Sequence, residues 1–267
     1  MAETTKGRSI KIRAGQDSLA FLIMEADGSR AFHPYQIKTG MSVAANLREA
    51  FKTGDYISSD ISKVQVVVDT PNLLVPIEQF DEADIETVYS YSYPAGQEKR
   101  AYYYDVLPDM KAVCIFAINK NIDTVICDRF EDGAKFSHIM TPVWRQLYQR
   151  SFTGHRNKLY GYFHGKQLNI FSFQQNRFKF CNSFDAAQAH DALYYLLYVW
   201  KQLRLEPEHD EIHILGNIPE QEWLLNELKR FLQNAYVINA QAEFQDAPAT
   251  RIKGMPYDLI TLITRGR

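Results

Sequence analysis

The chain repeats one order of elements at a spacing far too long for a solenoid. Residues 157–166, 167–174 and 177–184 read as three successive strands. A long helix over 186–204 and a short apolar strand over 211–215 follow. The same order appears near the N-terminus: strands over 9–14, 18–25 and 30–38, a helix over 42–52, a strand over 63–69. Asp69-Thr-Pro71 answers Asn217-Ile-Pro219, and Phe51 answers Trp200, each about 150 residues on, a period that marks a duplicated half-domain. The expected class is α/β with mixed sheets, in two βββαβα halves. Gly154 is the expected boundary, giving halves 1–153 and 154–267.

Local patterns support this order. Ile10 and Ile12 alternate with charge, so one face of the first strand is buried. Asp27-Gly28 suits a hairpin turn, because both residues tolerate positive φ. Ser42 caps a helix with Val43, Ala44, Leu47, Ala50 and Phe51 at helical spacing, and Gly54 ends it. The β-branched run 64–68 fits a central strand covered on both faces. Residues 78–89 read as a weaker helix with an acidic face, and 142–152 as a helix with Pro142 in its first turn. Asp185 with Gln188 forms a capping-box pattern before the helix carrying Ala189, Leu193, Leu196, Leu197 and Trp200. Residues 219–232 read as a helix. Residues 235–239 and 259–264 read as the last strands.

With 267 residues, 46% of them hydrophobic, the chain can bury a large core. A net charge of −2 implies no polyanionic partner from global charge alone. No apolar run reaches the roughly 18 residues of a membrane span, so no membrane insertion is expected. The first six residues lack the apolar stretch of a signal peptide. Cys114, Cys127 and Cys181 show no CxxC spacing and read as reduced thiols of a cytoplasmic protein.

The duplicated βββαβα unit, with Asp69-Thr-Pro71, Leu74-Val-Pro76 and Ile214-Leu-Gly-Asn217, resembles the actin-like ATPase superfamily, which shares its core with ribonuclease H. Over the whole chain it resembles an uncharacterised Bacteroidetes family of that fold, related in shape to the cytoplasmic assembly scaffolds of type II secretion and type IV pilus machines. Active members hold nucleotide on two Asp-x-Gly phosphate loops and one Gly-Gly turn on the adenosine side. Glycines there let backbone N–H groups approach phosphate, and aspartates hold the magnesium shell. In this chain the first loop falls on Arg13-Ala-Gly-Gln-Asp17, with Arg13 where the first aspartate would stand. The second falls on Tyr162-Phe-His-Gly165, with no aspartate. The third, Leu215-Gly-Asn-Ile-Pro219, keeps Gly216 and Asn217 as a vestigial adenosine-side loop. The resemblance thus implies the fold with its nucleotide chemistry reduced. No cofactor, no metal and no catalysis are expected.

Other chemistry is scarce. There is no G-x-x-x-x-G-K, G-x-S-x-G or G-x-G-x-x-G. His209-Asp-Glu-Ile-His213 is not a zincin pattern, because the Glu falls one place late and the segment enters a strand. Both histidines are expected at a surface or edge. Asp69 is expected only to start a turn before Pro71. One bias stands out: residues 133–184 hold eight of the 30 basic residues and none of the 32 acidic ones. That segment is formally +8 and the remainder −10, against a net −2. The cations are Lys135, Arg145, Arg150, Arg156, Lys158, Lys166, Arg177 and Lys179. Aromatic residues lie between them, as in single-strand nucleic-acid binding. Arg150, Arg156 and Lys158 are expected to be exposed and adjacent. Arg145, Lys166, Arg177 and Lys179 complete the candidate partner surface.

The expected function is a non-catalytic scaffold or interaction protein. One alternative is a nucleotide-binding ATPase or phosphotransferase with substitute ligands. Another is a nucleic-acid-binding accessory protein using segment 133–184. A protein partner is expected ahead of RNA, and the sequence leaves the oligomeric state open.

Overall fold

The computed structural model describes residues 7–15, 18–54, 57, 61–130 and 133–265. The chain divides into two compact units, Met1–Pro108 with Ala112–Thr141, and Asp109–Lys111 with Pro142–Arg267. The repeated strand order restarts after residue 153. Compactness divides the chain within one helix before that point, because Trp144 and Tyr148 of this helix pack on Phe178 and Phe173.

In the first unit β1 (Arg8–Gly15), β2 (Leu19–Met24), β3 (Arg30–Tyr35), α1 (Val43–Thr53) and β4 (Ile61–Asp69) follow the expected order. Ser42 caps α1, its Oγ accepting the Ala45 N–H at 3.2 Å. The chain then builds a separate three-stranded sheet from β5 (Asn72–Pro76), β6 (Arg100–Leu107) and β7 (Ala112–Asn119), with α2 (Ile85–Ser92) packed against it. Two short 3₁₀ turns precede α2, so the acidic stretch is helical only in its second part. After α3 (Lys120–Arg129), β8 (Lys135–His138) joins the main sheet, whose order is β3-β2-β1-β4-β8. Asp105 of β6 ties the inserted sheet to that edge. Its Oδ2 accepts from Ser137 Oγ at 2.8 Å, the His138 N–H at 2.8 Å and Thr141 Oγ1 at 2.6 Å.

The second unit repeats the plan. α4 (Met140–Ser151) leads into β9 (Lys158–His164), β10 (Gln167–Gln174) and β11 (Arg177–Asp185). Then come α5 (Ala189–Gln202), β12 (Glu211–Gly216), α6 (Gln221–Phe231), β13 (Ala235–Val237), α7 (Ala240–Glu243) and α8 (Tyr257–Arg265). The sheet order is β11-β10-β9-β12-β13, the same as in the first unit position by position. In both sheets the first strand pairs antiparallel with the second and parallel with the fourth. Strand alternation sorts the side chains. Leu159, Leu168, Ile170, Ile212 and Ile214 meet Leu196, Val199, Leu224 and Leu228 on the helical face. Tyr160, Tyr162, Phe171, Phe173 and His213 occupy the opposite face.

Two local expectations are corrected. The capping box does not form: Asp185 ends β11 and receives the Gln167 side-chain amide, while Gln188 caps α5 without a side-chain bond. Residues 259–264 are helical, not a strand. A short apolar run cannot be told from a buried helix by periodicity. Leu259 to Leu262 are all buried, and Thr261 and Thr264 return their hydroxyls to the Tyr257 and Ile260 carbonyls at 2.7 Å.

Candidate functional site

The turn that would carry the first phosphate loop joins β1 to β2. Arg13 lies buried near the end of β1, and its guanidinium meets Ser18 and Asp69. Nη1 donates to Ser18 Oγ at 2.9 Å, and Nη2 reaches Asp69 Oδ2 at 3.3 Å. Strand register fixes this pair, because Asp69 closes β4 directly beside Gly15. Asp69 is therefore not merely a turn starter, as expected from sequence, but the counter-ion of a buried arginine. Gly15 donates its N–H to the Ser18 carbonyl at 2.8 Å. A Cβ on Gly15 would lie 2.8 Å from Ser18 Oγ and 3.2 Å from Asp69 Cβ, so packing alone favours glycine here. Gln16 and Asp17, the rest of this expected loop, lie outside the described residues.

The second loop is a two-residue hairpin turn, Gly165-Lys166, between β9 and β10. Its flanking polar groups turn inward. His164 meets the Asn169 amide, and the Tyr162 hydroxyl donates to Asp258 Oδ2 at 2.9 Å. The third loop holds Gly216 at φ +93°. A Cβ there would sit 2.1 Å from the Phe163 carbonyl oxygen. The Asn217 N–H donates to that same oxygen at 3.0 Å. Contact between the ends of β9 and β12 thus demands the glycine, and the first N–H of the loop is spent inside the protein. A magnesium nucleotide needs several oxygen ligands and free backbone donors. Taken loop by loop, the described residues do not fit it: in the first a guanidinium lies against Asp69, and the second hairpin turn carries no carboxylate.

The basic segment is partly folded inward. Lys158 is 5% exposed, contrary to expectation, and its ammonium donates to the Thr153 carbonyl. Lys158 pairs with Glu211 in the β9–β12 register, so strand alternation turns it under the sheet. Burial lowers its pKa, Glu211 opposes that shift, and Arg150 adds to it. Arg150 pairs with Glu243, and Arg156 lies 3.7 Å from Glu211. The three expected neighbours therefore do gather, but around carboxylates supplied from outside the acid-free segment. His213 also belongs to this cluster and is 4% exposed, not the surface or edge residue expected. Its Nε2 lies 2.9 Å from Glu211 Oε2, and its ring stacks between Tyr160 and Tyr236. Burial lowers its pKa, helped by Arg150 and Lys158 against the pull of Glu211, which favours the neutral imidazole. Arg145, Lys166, Arg177 and Lys179 are exposed. Lys166 sits at one end of the β9–β11 meander, and Arg177 and Lys179 at the other. Sequence reasoning missed Glu211 and Glu243 because each lies far along the chain from the cation it meets.

Two units of matching topology, the first with an inserted sheet, define an actin-like ATPase fold. Within that class the chain belongs to the DUF3822 family, described as a protein of unknown function, whose model matches residues 2–235. A protein of actin-like ATPase fold and unknown function from Bacteroides thetaiotaomicron is 27% identical, with a TM-score of 0.82 over 99% of this chain and 99% of that one. A chain of the PilM–PilN type IV pilus biogenesis complex is 13% identical, with a TM-score of 0.53 over 97% of this chain and 95% of that one, a likeness of fold alone. No curated protein matches the chain. No helix among the described residues is long and apolar enough to cross a membrane.

Proposed function

We propose that this chain is a non-catalytic interaction scaffold, a member of the actin-like class in which the nucleotide loops have become structural. The Arg13–Asp69 pair carries this reading: a carboxylate beside the first hairpin is neutralised by a buried guanidinium. Gly216, the residue most like the family pattern, has a steric reason to be glycine. The chain of the PilM–PilN type IV pilus biogenesis complex is a precedent for a protein of this fold within a protein complex. The proposed setting is the cytoplasm, where thiols outside disulfides stay reduced. The RNA reading is weaker, because Lys158 is buried and Arg150 and Arg156 meet carboxylates.

Calorimetry with ATP, ADP and magnesium should give no binding heat. A micromolar Kd, about −8 kcal/mol, would overturn the reading in favour of a nucleotide-dependent enzyme. Affinity capture of the native chain should retain a stoichiometric protein after nuclease treatment. Loss of all captured material on nuclease treatment would favour the nucleic-acid alternative.

A further inference from the structure

The five-stranded sheets have four edges, and three are guarded. β3 carries Pro34, which lacks a backbone donor. β8 has four residues and β13 three, too short to template a partner. β11 differs: it has nine residues without proline and, among the described residues, pairs only with β10. Asn182 and Ser183, in its second half, are exposed. The Ser183 N–H donates to Asn182 Oδ1 at 2.9 Å, so this donor points away from β10 and is held by a local side chain.

We infer that β11 pairs antiparallel with β11 of a second copy, about a two-fold axis at Asn182. The strand is self-complementary in that register. Lys179 comes opposite Asp185, Phe180 opposite Phe184, and Cys181 opposite Ser183, and the symmetry repeats each match. Faces agree as well. Phe180 and Phe184 both lean on the helical core side, so they meet on one face. The outward backbone groups agree too. Ser183 points its N–H outward, and Cys181, two residues before it, shares that direction, so the two exchange both ladder bonds between copies. The bulge at Ser172/Phe173 confines regular pairing on β11 to residues from Phe180 onward, with Lys179 at its rim.

α5 extends the surface. Tyr195 stacks on Phe184 at 4.6 Å, so α5 lies beside this edge. On it Tyr194 is 62% exposed and Tyr198 48%, their rings stacked at 6.0 Å. Strand pairing would bring the two copies of this tyrosine stripe toward one another. Lys179 and Asp185 also make the edge selective, because a strand with a lysine opposite Lys179 is repelled. The inference uses the β11 edge and none of the nucleotide-loop residues, so it stands or falls independently of the scaffold reading.

The test is the mass of the full chain in solution across a concentration series. A dimer is expected. Lys179→Glu sets like charges opposite each other twice and should weaken it roughly thirtyfold. Adding Asp185→Lys restores opposite charges in swapped order and should bring the dimer back. As a geometric check, Asn182→Cys in a Cys181→Ser background places two thiols across a non-hydrogen-bonded pair, about 4.5 Å apart at Cα, within disulfide reach. Mild oxidation should link that variant and not its Cys181→Ser parent. A monomer at every concentration, leaving the edge to a foreign strand, would overturn the inference. So would a dimer indifferent to Lys179→Glu, or one that the swapped pair fails to restore.

Discussion

Replacing Arg13 by Met tests whether the first hairpin is held by an ion pair in place of a ligand. Met keeps much of the volume and removes the charge. Arg13 has 8% of its side chain exposed and Asp69 22%, so the pair is largely out of water. At an effective dielectric near 20, unit charges about 4 Å apart attract by about 4 kcal/mol before desolvation. Removing one partner of a fully buried pair costs about 3–5 kcal/mol. The residual exposure of Asp69 lowers this to about 2–3 kcal/mol, part of it from the lost Ser18 bond at about 1 kcal/mol. Asp69→Asn should cost about the same, because it strands the guanidinium. The double variant should cost about 1–2 kcal/mol, leaving a coupling of about 3–4 kcal/mol. Urea unfolding at constant pH gives all three values. Singles below about 0.5 kcal/mol, or strictly additive singles, would refute the pairing and remove the main support for a structural first loop.

Gly216→Ala should destabilise by about 2–4 kcal/mol, since it combines a backbone collision with a positive φ, and should break the Asn217 bond to Phe163. Near-native stability on urea unfolding would show that the ends of β9 and β12 can part freely. The third prediction concerns acid. His213 has a folded pKa below its usual 6.5, so the unfolded chain binds more protons, and stability falls as pH drops below about 6.5. His213→Gln should flatten that fall relative to the native chain in unfolding measured from pH 7 downward. An unchanged slope would mean that His213 protonates in place, paired with Glu211.

The duplicated order was legible because strands with alternating faces and helices with a 3.6-residue period leave marks in short windows. The first meander, Ser42 as a cap and the α5 core face needed nothing distant. β5 escaped because it follows Pro71 directly and ends on Pro76, and both prolines read as loop punctuation. α8 escaped because full burial erases periodicity. The site was less legible, since its logic lies in register between strands. Arg13 and Asp69 are 56 positions apart, and only parallel pairing of β1 with β4 brings them together. Lys158 shows the converse. Its charge is plain in the sequence, but the face it takes is decided by β12.

Asp105 gathers three donors on one carboxylate oxygen, from β8 and from the first turn of α4. Such a joint acts as a shear pin. The inserted sheet cannot slide along the edge of the main sheet without breaking all three bonds together. A load applied to β6 would therefore pass into the start of α4 in one step. On the scaffold proposal the insertion would serve as a handle, and Asp105 fixes it to the frame.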